Sequence, residues 1–544
     1  MGGADLIVHN GRVFRSGPPG ASTDPPATAI AVGGGRIQGI GGERQAREWA
    51  VPRTTIVDAA GGLVVPGFND AHMHLRDGAI AMDRLDLFGV TTLDAVQEAI
   101  ASYAASRPEQ PWVAGRGWLY AAFPGGMPTR EQLDTVVSDR PAYFECFDGH
   151  SGWANSRAME LAGITAETLD PPGGRIVRDA EGHPTGALKE GAVELVNALV
   201  PVPREDQMPA LLEDALRRAA ALGITAVQDA WGRPEELRVL RRMRGEGGLP
   251  IRVRLALDLL PRLGLAGHRD RLDELEAMRA EEPDTPHLRT GILKSFLDGV
   301  VEARTAYMLD PYPGSDLRGD PLWEDDELRQ AVALAHARGW QVELHAIGDA
   351  AVRQALDAYE ALGPGEAAAR RHRVEHIETI DAADLPRFAQ LGVVASMQPM
   401  HAVPEASQVD TWTKNLHPAV AATGWRLRSI LRSGAVLAFG SDWPVVPIDP
   451  MLELHAAVHR RTADGQPHGG WLPKEGVSVA DALAAATWGS AYAEHAEADR
   501  GHLSPGALAD LIVLDRDLLL EPVGAIAGTG VRLTVVGGEI IHTA

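Results

Sequence analysis

The chain has 544 residues, 45% hydrophobic and 23% charged, a globular balance with room for about three to five domains or one large barrel with additions. Its 51 Lys and Arg stand against 74 Asp and Glu, a net charge of −23 that argues against nucleic acid or an anionic membrane as partner. One cysteine, Cys146, excludes an internal disulfide framework and a cysteine-based zinc cluster, so any metal must be held by carboxylates and some of the 19 His. No apolar run approaches the roughly 18 residues of a membrane span, and no export signal opens the chain, so the expectation is a cytoplasmic enzyme.

In chain order, ADLIV (4–8) and GRVF (11–14) read as short strands. The glycines of AVGGGRIQGIGGE (31–43) miss the spacing G-x-G-x-x-G and read as hairpin turns. PGFNDAHMH (66–74) follows as a first buried strand. The next strand signal, at Ile224, lies 150 positions beyond His74, too far for a loop. A folded insertion is expected there, rich in Trp112, Trp118, Tyr120, Phe123 and Trp153 and able to cover a barrel mouth. In 205–222, Glu205 and Asp206 favour a helix start, and Leu212, Leu216 and Ala220 share one face. Gly223 stops that helix and ITAVQD (224–229) follows as a strand.

The same succession recurs at Gly339 with WQVELHAIGD, at Gly392 with VVASMQP and at Gly434 with AVLAFGSD. IRVRLALDL (251–259), GILKSFLDG (291–299) and HRVEHIE (372–378) bring the count to eight candidate parallel strands. Strands alternating with helices in that number predict an α/β fold, a closed (β/α)8 TIM-like barrel; an open doubly wound sheet is the alternative. ADLIV returns at 509–513, ahead of VRLTVVGGEIIH (531–542), so both termini are expected to pair into a small β-sandwich flanking the barrel. The expected division is 1–63 and 491–544 for the two halves of the sandwich, 64–75 for the first barrel strand, 76–200 for the inserted α/β subdomain and 201–490 for the rest of the barrel.

Barrel active sites lie at the C-terminal ends of the strands. There the sequence places His72 and His74, Lys294, His345, His376 and Asp442. Two apart on a strand, His72 and His74 point to one face. Lys294, flanked by Ile292, Leu293 and Phe296, is costly to bury charged. It reaches the strand end, pairs with a carboxylate such as Asp298, or serves a metal. His345 or His376 alone reads as a core histidine; the six together read as a site. GHSGW (149–153) lacks the final Gly of a nucleophile elbow, so Ser151 reads as structural, and Cys146 as inert. Candidate substrate contacts are His150, Glu302, Gln398 and His401, with Trp412, Trp425 and Trp443 as an apolar wall.

VVPGFNDAHMHL (64–75) resembles the first-strand motif of the amidohydrolase superfamily. LKSFLDGVVEARTA (293–306), ELHAIGDAAV (343–352), RVEHIE (373–378) and FGSDWPV (439–445) are similar to its family-3 branch, which includes N-substituted formamide deformylases. The resemblance continues in 145–164, 173–190 and 506–515, so it spans nearly the whole chain. It implies two divalent cations, zinc first with Fe, Mn or Co as alternatives. His72 and His74 would bind the more buried ion, and His345 and His376 the more exposed one. Lys294, carboxylated by CO2, would bridge them. Asp442 would touch the buried ion and the attacking water, as general base and then general acid.

The implied reaction is hydrolysis of a C–N bond, in an amide or an N-substituted formamide-like substrate, by a metal-bound hydroxide. The alternatives are a mononuclear hydrolase of a lactone or cyclic imide, and a non-catalytic barrel that binds a small ligand. Val300, Val301 and Glu302 replace the small residues expected after the Asp–Gly pair; Glu302 reads as a solvated loop charge or a substrate-facing group, and the branch's substrate preference is not carried over to this chain. The expected partner is a small molecule with an apolar or aromatic group, and enzyme base rates point to a homodimer.

Overall fold

Eight parallel strands follow one another round a single sheet: β1 (Phe68–Met73), β2 (Ile224–Asp229), β3 (Arg252–Asp258), β4 (Leu288–Phe296), β5 (Gln341–Ala346), β6 (Arg373–His376), β7 (Val394–Met397) and β8 (Leu437–Phe439). Each pairs with the next in sequence order. The ring closes just past β8, where Asp442 N–H donates to His72 O at 2.6 Å and His74 N–H to Trp443 O at 2.8 Å. This computed structural model describes residues 3–18, 27–147, 149, 151–171, 174–405, 411–520 and 522–544. The fold is the expected (β/α)8 barrel.

The local reasons are those legible in the chain. The helix Met208–Ala221 buries Leu212, Leu216 and Ala220. Gly223 takes φ +84° behind it, a left-handed turn that costs Gly nothing, and β2 begins at the next residue. A second glycine matters at the closure. A Cβ on Gly440 would lie 2.3 Å from His72 N, so only Gly lets the chain after β8 approach β1.

The termini form two further sheets. One is ordered Arg36–Gly41, Ala29–Gly33, Leu6–His9, Thr55–Asp58; the other Arg12–Val13, Leu63–Pro66, Leu511–Leu514, Val531–Val536, Glu539–Thr543. Leu63–Pro66 and Leu511–Leu514 pair antiparallel, and Leu6, Val8, Ile30, Val64, Leu511, Val513 and Val535 share one buried cluster. The expected sandwich from both ends is therefore present. Its C-terminal half also grips the barrel: Arg252 on β3 forms a buried two-point pair with Asp510 (2.7 and 2.8 Å), and Gly67 N–H donates to Asp510 O at 3.1 Å.

Residues Arg76–Ala215 form a separate compact unit. It holds a six-stranded sheet in the order Gly174–Arg178, Pro184–Glu190, Ser151–Ala154, Ala142–Cys146, Val113–Trp118, Leu85–Asp86. Trp118, Phe123 and Trp153 are packed into that unit's own core, with Phe144 and Cys146. Ser151 is buried, its hydroxyl 2.9 Å from that of Tyr120. Among the described residues no helix is long and apolar enough to cross a membrane.

Candidate metal centre

The register of the barrel brings the strand ends level. Lys294 pairs with Glu343, Phe296 with His345, and Ala346 with His376. Asp442 stands between the two halves of the ring. Its Oδ1 lies 3.4 Å from His72 Nε2 and 3.1 Å from His74 Nε2, and its Oδ2 lies 3.9 Å from His376 Nδ1. The ring centroids of His72 and His376 are 4.8 Å apart, and those of His376 and His345 4.4 Å. Lys294 is fully buried, near enough for its charge to act on His72, His345 and His376. His72, His74, His376 and Asp442 are tied together by these distances, His345 joins through His376, and Lys294 through its charge. The ligand atoms of His72, His74 and Asp442 lie within 4.8 Å of one another.

Two of these residues sit on strained backbone. His376 has φ +72° and Asp442 φ +58°, a left-handed conformation that side-chain-bearing residues seldom adopt. In His376 it turns the ring out of the alternation set by Arg373 and Glu375. Strain of this kind is held in place by surrounding structure and clusters at functional sites.

The polar atoms of the cluster lack internal partners. His72 Nε2, Lys294 Nζ, His345 Nδ1, His376 Nδ1 and Asp442 Oδ1 are buried without a hydrogen bond. One such group costs about 1–3 kcal/mol, and here five stand in one neighbourhood, a place that a bound cation could complete. Imidazole nitrogens and a carboxylate make a donor set that suits a divalent cation. The electrostatics agree. Burial drives the Lys294 ammonium below its usual pKa, although Glu343, Glu375 and Asp442 oppose the shift. Burial and the Lys294 charge push His345 down to about 3. Asp442 stays far below the usual carboxylate range: burial works against it, but His401, His72 and His74 outweigh burial.

Behind the cluster lies a second set of buried groups. His72 Nδ1 is 2.6 Å from Glu375 Oε2, and Arg373 Nε donates to Glu375 Oε1 at 3.0 Å. Arg373 also reaches across the barrel interior to Gln228 Oε1 (2.5 Å), to Ala71 O (3.1 Å) and to Glu343. Asp70 accepts from Ser441 N–H (2.9 Å), Ser441 Oγ (2.6 Å) and His72 N–H (3.1 Å), tying β1 to the turn before Asp442. Asp298 accepts from Tyr307, Ile347 and Gly348 N–H and therefore does not neutralise Lys294, while burial lifts its pKa to about 7. Sequence reasoning named neither Glu375 nor Arg373 as a site residue and read Arg373, with Arg370 and Arg371, as a solvated helix face; it is instead a fully buried strand residue, and the one signal of both was position, close to His376 on the same strand.

The expected substrate contacts divide. His401 belongs to the cluster: Nε2 is 3.2 Å from Asp442 Oδ2 and Nδ1 is 3.7 Å from Glu378 Oε1, and these carboxylates raise it to about 10 against the pull of burial. Gln398 is buried with both amide atoms unpartnered, three residues before His401. Trp443, buried, follows Asp442 directly. Glu302 is half-buried in the loop after β4, where its charge acts on the Tyr312 phenol. His150 lies outside the described residues.

Trp412 and Trp425 need correction. They are 0% and 2% exposed, 4.5 Å apart and packed on Trp471, and Trp412 Nε1 donates to Glu378 Oε2 at 2.7 Å. They are core, because their segments fold inward rather than lining an opening. Half-buried aromatics stand elsewhere: Trp231, just past β2, meets Phe296 edge-on at 5.0 Å, and Phe296 is 4.9 Å from the His345 ring.

Residues 55–542 match the amidohydrolase family. The chain belongs to that family. Protein LONG AFTER FAR-RED 3 of Arabidopsis thaliana is 31% identical over 99% of this chain and 92% of its own length. N-substituted formamide deformylase of Arthrobacter pascens is 30% identical over 94% of each chain. Among solved structures, an uncharacterized metal-dependent hydrolase from Pyrococcus horikoshii OT3 superposes with a TM-score of 0.75, at 26% identity over 95% of this chain and 99% of that one. This amidohydrolase is thus a hydrolase by family, with a cluster at its strand ends that could hold metal.

Proposed function

We propose that this amidohydrolase is a metal-dependent enzyme that hydrolyses a C–N bond in a small amide or N-substituted formamide. The observation that carries the reading is the convergence of His72, His74, Lys294, His345, His376 and Asp442 with five of their buried polar atoms unpartnered. His72, His74 and Asp442 would hold one divalent cation, and His345 and His376 a second, with zinc the best match to the donors. Bound there, such ions supply Lewis acidity, acidifying water and polarising a carbonyl.

The chain's own groups do the rest. Lys294, whose ammonium form burial disfavours, would add CO2 at Nζ with loss of a proton, and the resulting carbamate would supply ligand oxygens beside the histidines. Asp442, ionised and facing His72, His74 and His401, accepts the proton of the attacking water and returns it to the leaving nitrogen. Trp231 and Phe296 offer an apolar surface to a substrate substituent, and the resemblance to a formamide deformylase favours the N-substituted formamide among the amides.

One observation favours a second reading, a mononuclear hydrolase of a lactone or cyclic imide. Among the described residues, only His72, His74 and Asp442 form a tight three-residue group. The test is hydrolysis of a panel of formamides, amides, lactones and cyclic imides by protein stripped with a chelator and reloaded with zinc. Zinc-dependent turnover of formamides or amides is expected. Turnover of lactones or imides alone, with one ion bound, replaces it with the second reading. Turnover of the whole panel by stripped protein overturns the metal role.

A further inference from the structure

We infer that Glu375, clamped by Arg373, is a positioning residue that selects Nε2 as the ligand nitrogen of His72; the inference rests on the reading of His72 as a metal ligand. A carboxylate only accepts hydrogen bonds. With Glu375 Oε2 2.6 Å from His72 Nδ1, the Nδ1 atom carries the proton. A neutral ring then keeps its lone pair on Nε2, the atom that is buried without a partner and lies 3.4 Å from Asp442 Oδ1.

Arg373 fixes both ends of this arrangement. Its Nε holds the other oxygen of Glu375, and its Nη2 holds Ala71 O, the carbonyl immediately before His72. One guanidinium on β6 therefore orients the carboxylate behind the His72 ring and the backbone that carries the ring. The side chains of Arg373, Glu375 and His72 are all 0% exposed, so water does not compete for these bonds.

His345 shows the opposite choice. Its Nε2 faces the Gly299 carbonyl at 3.4 Å, and its Nδ1 is the buried, unpartnered atom. A carbonyl also only accepts, so the proton sits on Nε2 and the lone pair on Nδ1. The two imidazoles present different nitrogens because different acceptors stand behind them. In each ring the nitrogen opposite the acceptor is the one left buried without a partner.

The test measures zinc binding, by content after dialysis and by competition with a chromophoric chelator, in wild type, Glu375→Gln and Glu375→Leu. Outer acceptors of this kind are worth about 10- to 100-fold in metal affinity. Glu375→Leu should weaken one ion by that factor and leave a second within about threefold, while Glu375→Gln, whose amide oxygen still accepts from Nδ1, should lose less. Zinc protein labelled with ¹⁵N-histidine, its His72 signals assigned by His72→Gln, should show Nδ1–H in wild type and Glu375→Gln. That measurement keeps the inference open to refutation should Glu375→Leu fail to fold. Wild-type zinc affinity in both variants, equal weakening of both ions, or an Nε2–H signal from His72 would overturn it while leaving the metal reading intact. A wild type that binds no zinc would overturn both.

Discussion

Two layers of buried polar groups lie one above the other in the barrel, and they are built differently. In the lower layer Arg373, Glu375, Glu343 and Gln228 bond to one another across the interior. In the upper layer Lys294 Nζ, His376 Nδ1 and His345 Nδ1 have no hydrogen-bond partner, and His345 Nε2 keeps long contacts to Gly299 O and Asp298 Oδ1. Burial is nearly the same in both. The lower layer is closed by the chain itself except at Glu343 Oε1, whereas the upper one leaves several neighbouring atoms unpartnered. Polarity in a core therefore does not mark a site; unmet polarity, aimed inward from several strands, does.

The sharpest way to break this comparison is Asp442→Asn. Loss of the carboxylate that faces His72, His74 and His401 together should lower kcat by about 10²–10⁴-fold with the melting temperature of stripped protein little changed. Steady-state rates and thermal unfolding check it, and an unaffected rate would remove Asp442 from the proton path.

Lys294→Ala comes next. Zinc content should fall by about half or more, with partial recovery when short carboxylic acids are supplied. Full zinc content and full rate in this variant would exclude a bridging role. Lys294→Met should in contrast stabilise stripped protein, by about 1–3 kcal/mol, because it removes a buried donor with no acceptor.

A smaller effect separates the two groups of tryptophans. Trp231→Ala should raise KM for N-hexylformamide about tenfold and hardly alter that for N-methylformamide. Trp412→Phe should cost about 1–2 kcal/mol of stability through the lost bond to Glu378 and leave both KM values alone. Equal responses would mean that the apolar surface is misplaced.

The smallest expected effect belongs to a fully partnered histidine. His372 accepts Val342 N–H at Nδ1 (3.0 Å) and meets His336 at Nε2 (3.1 Å), and burial together with the His336 and Arg370 charges lowers it to about 3. Between about 6.5 and 3 the unfolded chain binds a proton there that the folded chain refuses, so stability falls as pH drops through that window. Denaturant midpoints measured from pH 7 to pH 4 should fall more steeply in wild type than in His372→Asn.

Much of this architecture could be read from the chain, for a physical reason. Strand β2 matches ITAVQD residue for residue because a left-handed Gly and a β-branched run leave little choice. Both ends of the sandwich repeat ADLIV, and each copy supplies a strand, though to different sheets. The six cluster residues were visible because each ends a strand or follows one closely. What was not visible depended on contacts between distant strands. Glu375 looks like any charge beside His376 until Arg373 and His72 are seen to meet it. Trp412 and Trp425 sit in loop-like sequence, and only the Glu378 acceptor and Trp471 draw them inside. The positive φ of His376 and Asp442 leaves no trace in residue type at all.

The pairing of Leu63–Pro66 with Leu511–Leu514 ties the entrance of the two-histidine strand to a segment far along the chain. Loss of Leu511–Leu514 would loosen the approach to β1 while leaving every residue of the cluster unchanged in the sequence, so damage at a distance can reach the centre without touching it.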